Sequence, residues 1–210
     1  MNVIIVGAGG HAKVVVDILS SSHKTIVGFL DDNSVLSDQP ILGLPILGFI
    51  SDHVKFTDKN HFIMGIGSNR TRQMLVEKMS SVMWTEAIHS SAYVAHCVEI
   101  GIGSVMMAKS VVNPCTSIGK HVIINTNASV DHDCIIKDFA HIASGVNIAG
   151  NVHIGKRVFV GIGAKIINGT EANPLTIADD VIIGAGAVVT KSITEPGITV
   201  VGIPAKPIKR

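Results

Sequence analysis

The stretch SVDHDCIIKDFAHI, residues 129–142, places two histidines and three aspartates on a segment whose aliphatic residues recur at regular spacing. An imidazole is the side chain best matched to taking a proton near neutral pH, and a neighbouring carboxylate can orient it and raise its basicity. His132 between Asp131 and Asp133 therefore supports two readings: a general base, or a polar group on the outside of a regular structure. In an extended strand successive side chains point to opposite faces, so Asp131 and Asp133 cannot both meet His132 unless the chain bends there. His141, nine residues on, would sit on another part of the structure and approach His132 only across a contact between chains. The pair lacks the HxH or HxxxH spacing of a metal site, and no metal is expected.

A second constellation is GAGGHA, residues 7–12, between an apolar run and an amphipathic one. Gly7, Gly9 and Ala12 fit G-x-G-x-x-A, with Asp31 and Asp32 following at the distance of a ribose-binding acid. Glycines let backbone N–H groups approach a phosphate, and a helix N-terminus favours the anion. A tight turn without a ligand is the competing reading. GIGSNRTR, residues 65–72, offers another glycine turn before a helix and can line the same pocket.

Two kinds of structure must carry these residues. In the first 85 residues NVIIVG, TIVGFLDD and HFIMGIG read as buried strands, and HAKVVVDILSS and NRTRQMLVEKMSS as helices, the second with Asn69 as its N-cap. PILGLPILGFISD, rich in Gly and Pro, reads as loop. The order suggests a small parallel α/β unit, about one mononucleotide-binding half. From Val94 another period takes over. Every sixth residue to Ile166 is aliphatic, and the position four further on is small: Val98, Ser104, Ser110, Thr116, Val122, Ala128, Cys134, Ala140 and onward. A hexad with one aliphatic and one small column predicts a parallel β-helix, three hexads to a triangular coil. The register breaks once, between Ile166 and Ile177, where NGTEANPLT carries a five-residue insertion, and the tail PGITVVGIPAKPIKR ends the stack. The predicted units are residues 1–85 and 86–210.

The totals restrict the function. Net charge is +1 and no basic run exists, which argues against nucleic acid. With aromatic residues at 4%, base-stacking platforms are not expected. Cys97, Cys115 and Cys134 form no CxxC pair and no disulfide framework; free, buried thiols in a reducing compartment are expected. MNVIIVGAGG lacks the basic start of a signal peptide, and no run reaches the roughly 20 apolar residues of a membrane span.

The motifs VGAGGHAKVV, FLDD, GIGSNRTR, IHSSA, NTNASVDHDCIIKDFAHIASGVNIAGNVHIG, IADDVIIGAGAVV and VGIPAK, in this order over nearly the whole chain, resemble the bacterial acetyl-CoA-dependent sugar acetyltransferases. That family includes the bacillosamine-pathway and perosamine N-acetyltransferases and the sialic acid O-acetyltransferases. The resemblance implies a Rossmann-like α/β unit followed by a left-handed parallel β-helix, in a cytoplasmic homotrimer with grooves between subunits. It implies acetyl-CoA as co-substrate and a nucleotide-linked amino sugar, a UDP-4-amino sugar, as acceptor, in surface glycan biosynthesis. O-acetylation of sialic acid or a related sugar hydroxyl is the alternative. By the same resemblance His132 is the general base for direct attack, without a covalent enzyme intermediate. Asp133, where Glu is commoner, raises its basicity, and the Gly150 amide supports the oxyanion. His141, Ile162 and Ala185, the last in place of a glycine in some members, contact acetyl-CoA. Gly9, Gly10, His11, Asp31, Asp32 and Gly67 contact the sugar nucleotide.

Overall fold

The structure is a computed structural model that describes residues 1–33, 35 and 40–208. Lys209 and Arg210, at the end of the predicted second unit, lie outside the described residues. The chain opens with β1 (Asn2–Val6), in which Val3 to Val6 are all buried. Such an unbroken apolar run suits a strand covered on both faces of a parallel sheet. After α1 (Gly10–Ser20) come β2 (Thr25–Leu30), β3 (Ile46–Gly48), β4 (His61–Met64), α2 (Asn69–Lys78) and β5 (Met83–Trp84). The sheet is parallel, in the order β3-β2-β1-β4-β5.

Two local expectations need correction, and one strand was not foreseen. The segment expected as loop contains β3 and a 3-10 helix at Ile50–Phe56, stabilised where the Phe49 N–H donates to Asp52 Oδ2 at 2.9 Å. The cap of α2 is Ser68, whose Oγ accepts the Thr71 N–H. Asn69 instead sends its Nδ2 across to the carbonyl oxygens of Arg157 and Val158. The short β5 edge strand carries no period of its own and is held by pairing with β4.

From Ala87 the chain winds as the expected left-handed parallel β-helix, a three-sided prism. One face has six strands, from Tyr93–Val94 to Val188–Val189, and the next has five, from Glu99–Ile100 to Leu175–Ile177. The third has eight, from Ala87–Ile88 to Lys206–Pro207. Both sequence columns point inward and build one buried axis. Paired residues lie one coil apart, as in Ile136↔Ile154, and the insertion lengthens one step without moving the core, since Ile154 still pairs with Ile177. At the vertices the second residue of many turns is left-handed, as in Cys115 (φ 61°), His121 (φ 53°), Asp133 (φ 55°) and Asn151 (φ 56°). Such angles are uncommon outside glycine; here the prism imposes them at turn after turn.

The α/β unit sits on the third face. Val3, Ile5, Ala12, Val15 and Leu19 share one buried cluster with Ala87, Val105, Met107 and Ile123 of the prism. At the edge of this junction Arg72, 1% exposed, donates to the carbonyl oxygens of Ile66, Gly67, His121, Phe139 and Ala140 and to Asn69 Oδ1. No carboxylate partners this guanidinium among the described residues, and burial lowers its pKa to about 9.

Candidate active site

β1 lies between β2 and β4, so successive connections leave it in opposite directions. In open parallel sheets the crevice at such a switch, beyond the strand C-termini, receives ligands. A cavity of about 430 Å³ occupies this crevice and is lined by Gly7, Gly9, Gly10, His11, Asp31, Asp32 and Gly67 among others. All six residues expected to contact the sugar nucleotide are therefore at one place. Gly7 is left-handed (φ 92°) and makes the turn. Gly9 and Gly10 differ: a Cβ added to either meets no protein atom within 4 Å, so internal packing does not require glycine there. Gly9 is the N-cap of α1 and offers no capping side chain, leaving the helix N-terminus open. Asp31 holds the loop, its Oδ2 accepting the Ala8 N–H at 2.6 Å and its Oδ1 the Asn33 N–H at 2.8 Å. Asp32 accepts the Ile50 N–H at 2.9 Å.

Gly67 joins this crevice to a second cavity of about 620 Å³, between the start of α2 and the third face, lined also by Ser68, His141, Phe159 and Ile182. His141 Nδ1 lies 3.3 Å from the Gly67 carbonyl oxygen and its Nε2 lies 3.2 Å from Asn125 Nδ2. The carbonyl can only accept, so Nδ1 carries the proton and Nε2 accepts from Asn125. Burial, then the Arg72 charge, lowers the His141 pKa to about 4. His11, with its ring centroid 6.4 Å from that of His141, is lowered to about 4 by burial, then His141 and Arg72. Its buried Nε2 has no protein partner among the described residues. Two neutral imidazoles thus border the junction of the cavities.

His132 stands elsewhere. The vertex between the six-stranded and five-stranded faces carries, coil upon coil, His96–Cys97, Pro114–Cys115, His132–Asp133 and Gly150–Asn151. In a three-sided prism this vertex is opposite the face that bears the α/β unit. The chain does bend here: with Asp133 left-handed, both aspartates engage His132. Asp133 Oδ2 accepts from the ring Nδ1 at 2.7 Å, and Asp131 Oδ1 accepts the His132 backbone N–H at 2.9 Å. Nε2 is left with its lone pair on a half-exposed ring. The His132 pKa is raised, first by the Asp133 hydrogen bond and then by the charges of Asp131 and Asp133. Gly150 lies flat against the imidazole: a Cβ there would stand 2.6 Å from His132 Cε1. The Gly150 N–H donates to no protein acceptor among the described residues.

Ile162, 64% exposed, and Ala185 stack on a further vertex, where the Gly186 N–H donates to the Ile162 carbonyl at 2.8 Å. The structure thus gathers the crevice residues and His141, places His132, Asp133 and Gly150 together on the opposite vertex, and sets Ile162 and Ala185 on another.

Sequence reading overlooked the support beneath His132. Asn113 Nδ2 donates to Asp131 Oδ1 at 2.9 Å, and Thr116 Oγ1 donates to the Asp131 carbonyl while accepting the Cys134 N–H. Stepping back one 18-residue coil from the DHD turn would have found this support. Arg72 was also overlooked, although it shares a helical stripe with Leu75 and Met79. The cysteines are corrected in part: Cys134 is buried, its thiol pushed up to about 11 by burial, but Cys97 and Cys115 are exposed. No group of three or more metal-ligating side chains occurs among the described residues, and no helix among them is long and apolar enough to cross a membrane.

Residues 2–79 match the PglD N-terminal domain. The chain is 32% identical to GDP-perosamine N-acetyltransferase of Escherichia coli O157:H7, over 98% of this chain and 96% of that one. A histidine-to-asparagine mutant of perosamine N-acetyltransferase from Caulobacter crescentus, in complex with CoA and GDP-perosamine, superposes with a TM-score of 0.90 at 34% identity, covering 100% of this chain and 98% of that one. The acetyltransferase domain of PglB from Neisseria gonorrhoeae, in complex with acetyl coenzyme A, gives the same TM-score and identity over 99% and 98% of the two chains.

Proposed function

The chain belongs to the acetyl-CoA-dependent sugar N-acetyltransferases, and from that premise we propose that it moves the acetyl group of acetyl-CoA onto the 4-amino group of a UDP-linked amino sugar. Residues 1–85 would hold the sugar nucleotide and residues 86–210 would carry the chemistry. The observation that carries the reading is the His132–Asp133 pair with Gly150 against the imidazole. Asp133 fixes the tautomer, so the Nε2 lone pair takes a proton from the attacking amine as it adds to the thioester carbonyl. The unengaged Gly150 amide is suited to donate to the oxygen that becomes negative. The tetrahedral adduct then expels CoA as the thiolate, which takes the proton from His132 Nε2 and leaves as the thiol, without a covalent enzyme intermediate.

The distance between the two halves of the site is an argument about assembly. The diphosphate belongs at the N-terminus of α1 over Gly9 and Gly10, with Asp31 and Asp32 beyond it. His132 of the same chain lies across the prism. A second copy must therefore present its His132 vertex to this crevice, and a homotrimer with a site in each groove satisfies that for every chain. Acetyl-CoA is placed against His141, Ile162 and Ala185.

The test is a panel of UDP- and GDP-linked amino sugars offered with acetyl-CoA, following CoA thiol release and the mass of the product. Acetylation of a UDP-4-amino sugar supports the reading, and preference for a GDP-linked sugar overturns the choice of carrier. Acetylation of free sialic acid, with no nucleotide sugar consumed, overturns it in favour of O-acetyl transfer.

A further inference from the structure

Cys97 and Cys115 lie one coil apart on the vertex that carries His132. The strands on either side of them pair in register, Val94↔Val112 before and Glu99↔Ser117 after, so the two residues stack directly. Along this vertex the second turn residue normally donates its N–H to the carbonyl of the first turn residue one coil below: Asp133 to Pro114, Asn151 to His132, Gly169 to Gly150. At Cys115 the ladder changes. Its N–H donates instead to Cys97 Sγ, at 3.2 Å. Cys97 is also absent from the run of left-handed turn residues to which Cys115 belongs. The lowest turn is thus shaped so that a sulfur takes the place of a backbone acceptor, and both thiols are exposed.

We propose that Cys97 and Cys115 are a reversible oxidation site, a dithiol that closes to a disulfide and in doing so slows the acetyl transfer carried by the turn above it. Stacked coils about 4.8 Å apart lie inside the Cα separation of about 4.4–6.8 Å that a disulfide spans. Cys97 Sγ, exposed and already in contact with the Cys115 turn through that N–H, is the attacking group. Cys115 is held in its protonated form first by Cys97 beside it, which suits the resolving role. The co-reactant is a low-molecular-weight disulfide. Cys97 thiolate attacks one of its sulfurs and expels one small thiolate. Cys115, giving up its proton, then attacks Cys97 Sγ and expels the second. Two protein thiols and one small disulfide become one protein disulfide and two small thiols. A pair that forms and opens in this way is the usual sense of a disulfide in a reducing compartment.

The coupling to chemistry runs through the backbone. Pro114, next to Cys115, supplies the carbonyl on which the Asp133 N–H hangs at 3.2 Å, and Asp133 holds the His132 ring. Closing the disulfide draws Cys115 toward Cys97 and moves that support. This half of the proposal rests on the reading of His132 as the base; the oxidation site itself does not.

The experiment incubates the full chain with oxidised glutathione, maps peptides by mass spectrometry without reduction, and measures acetylation before and after. Expected are a Cys97–Cys115 linkage within one chain, a free Cys134, and a rate lower by roughly tenfold, in line with what a small misplacement of a catalytic group does. Dithiothreitol should restore the rate, and Cys97→Ser, whose hydroxyl can still accept the Cys115 N–H, should be indifferent to the oxidant. Free thiols at both positions, a mixed glutathione disulfide that never closes, or linkage between chains overturns the site. A closed disulfide with an unchanged rate, or equal inhibition of Cys97→Ser, overturns the coupling. If the reduced protein acetylates no sugar at all, the reading of His132 fails while the linkage can still be scored.

Discussion

His141 reaches from the prism to the α/β unit through a single hydrogen bond, its Nδ1 to the carbonyl oxygen of Gly67 at 3.3 Å. Arg72 Nη1 donates to the same oxygen at 3.1 Å. One carbonyl of the glycine turn is therefore held by an imidazole from the prism and a guanidinium from α2, and this fixes the wall between the two cavities. A buried neutral imidazole so placed can hold a ligand by shape and hydrogen bonding and contributes no charge. His141→Ala should raise the KM for acetyl-CoA more than that for the sugar nucleotide. Equal increases in steady-state assays would remove His141 from the acetyl-CoA site.

His132→Ala should lower kcat by roughly 10²–10⁴ with folding and acetyl-CoA binding intact. Because Asp133 raises the imidazole pKa, the acidic limb of the rate profile should have its midpoint above the ordinary histidine value of 6.5, with activity rising as the ring loses its proton. Asp133→Asn removes the leading cause of that shift. Its limb should move to lower pH while the plateau falls, and an unmoved limb would mean that another group titrates.

Mixing subunits tests whether the two halves of one site come from different chains. Co-expressed His132→Ala and Gly10→Val chains, each inactive alone, should recover about a quarter of wild-type activity in randomly mixed closed oligomers. Sites completed within one chain would give none. Sedimentation of the wild type should show a trimer.

Gly10→Val should weaken sugar-nucleotide binding strongly and leave acetyl-CoA affinity nearly unchanged in calorimetry. A Cβ at this position is clear of protein atoms within 4 Å, so the added side chain takes up crevice space and spares the fold. Loss of both affinities together would assign the crevice differently.

Acid should loosen the junction between the units. His11, His121 and His141 each have folded pKa values of about 4 against 6.5 when unfolded, with burial the leading cause in each. Between these values the unfolded chain binds more protons, so stability is lost as pH falls through that window, by up to about 3 kcal/mol for one such shift. His121 stacks on Phe139 at 5.4 Å and meets Trp84 edge-on at 4.9 Å. His121→Phe keeps the aromatic packing and removes one titrating group, so its Tm should fall less between pH 7 and pH 5. An equal fall would place the acid lability outside this cluster.

Periodicity made the prism legible: the hexad columns at Val94–Ile166 state which side chains face the axis, and that rule is local and repeated. The glycine loop was legible for a similar reason, since Gly7 and Ala12 answer to backbone geometry and close packing. What a hexad taken alone does not show are relationships that only stacking creates. Asn113 beneath Asp131, Cys97 beneath Cys115 and Thr116 between two coils are distant in sequence, and nothing in their own hexads marks them as polar support. Ser68 displaced Asn69 as the α2 cap because Asn69 was recruited by the carbonyls of Arg157 and Val158, partners that exist only once the two units have docked. Arg72 deceived for the opposite reason: a charged residue on an apolar stripe reads as surface until five carbonyls converge on it.

The insertion between Ile166 and Ile177 has a consequence for how such a protein can change. It leaves the vertex above Gly150, and its residues Thr170 and Asn173 bond to each other, while the core registers Ile154 with Ile177 as if nothing had been added. Lengthening a surface loop costs little in closure entropy, about 0.6 kcal/mol for each doubling. Each vertex is therefore a point where length and chemistry can drift without disturbing the axis, and this vertex is the one that carries His132. Inheritance of stability and diversification of the acceptor are separable in this architecture, the first written in the columns and the second in the corners.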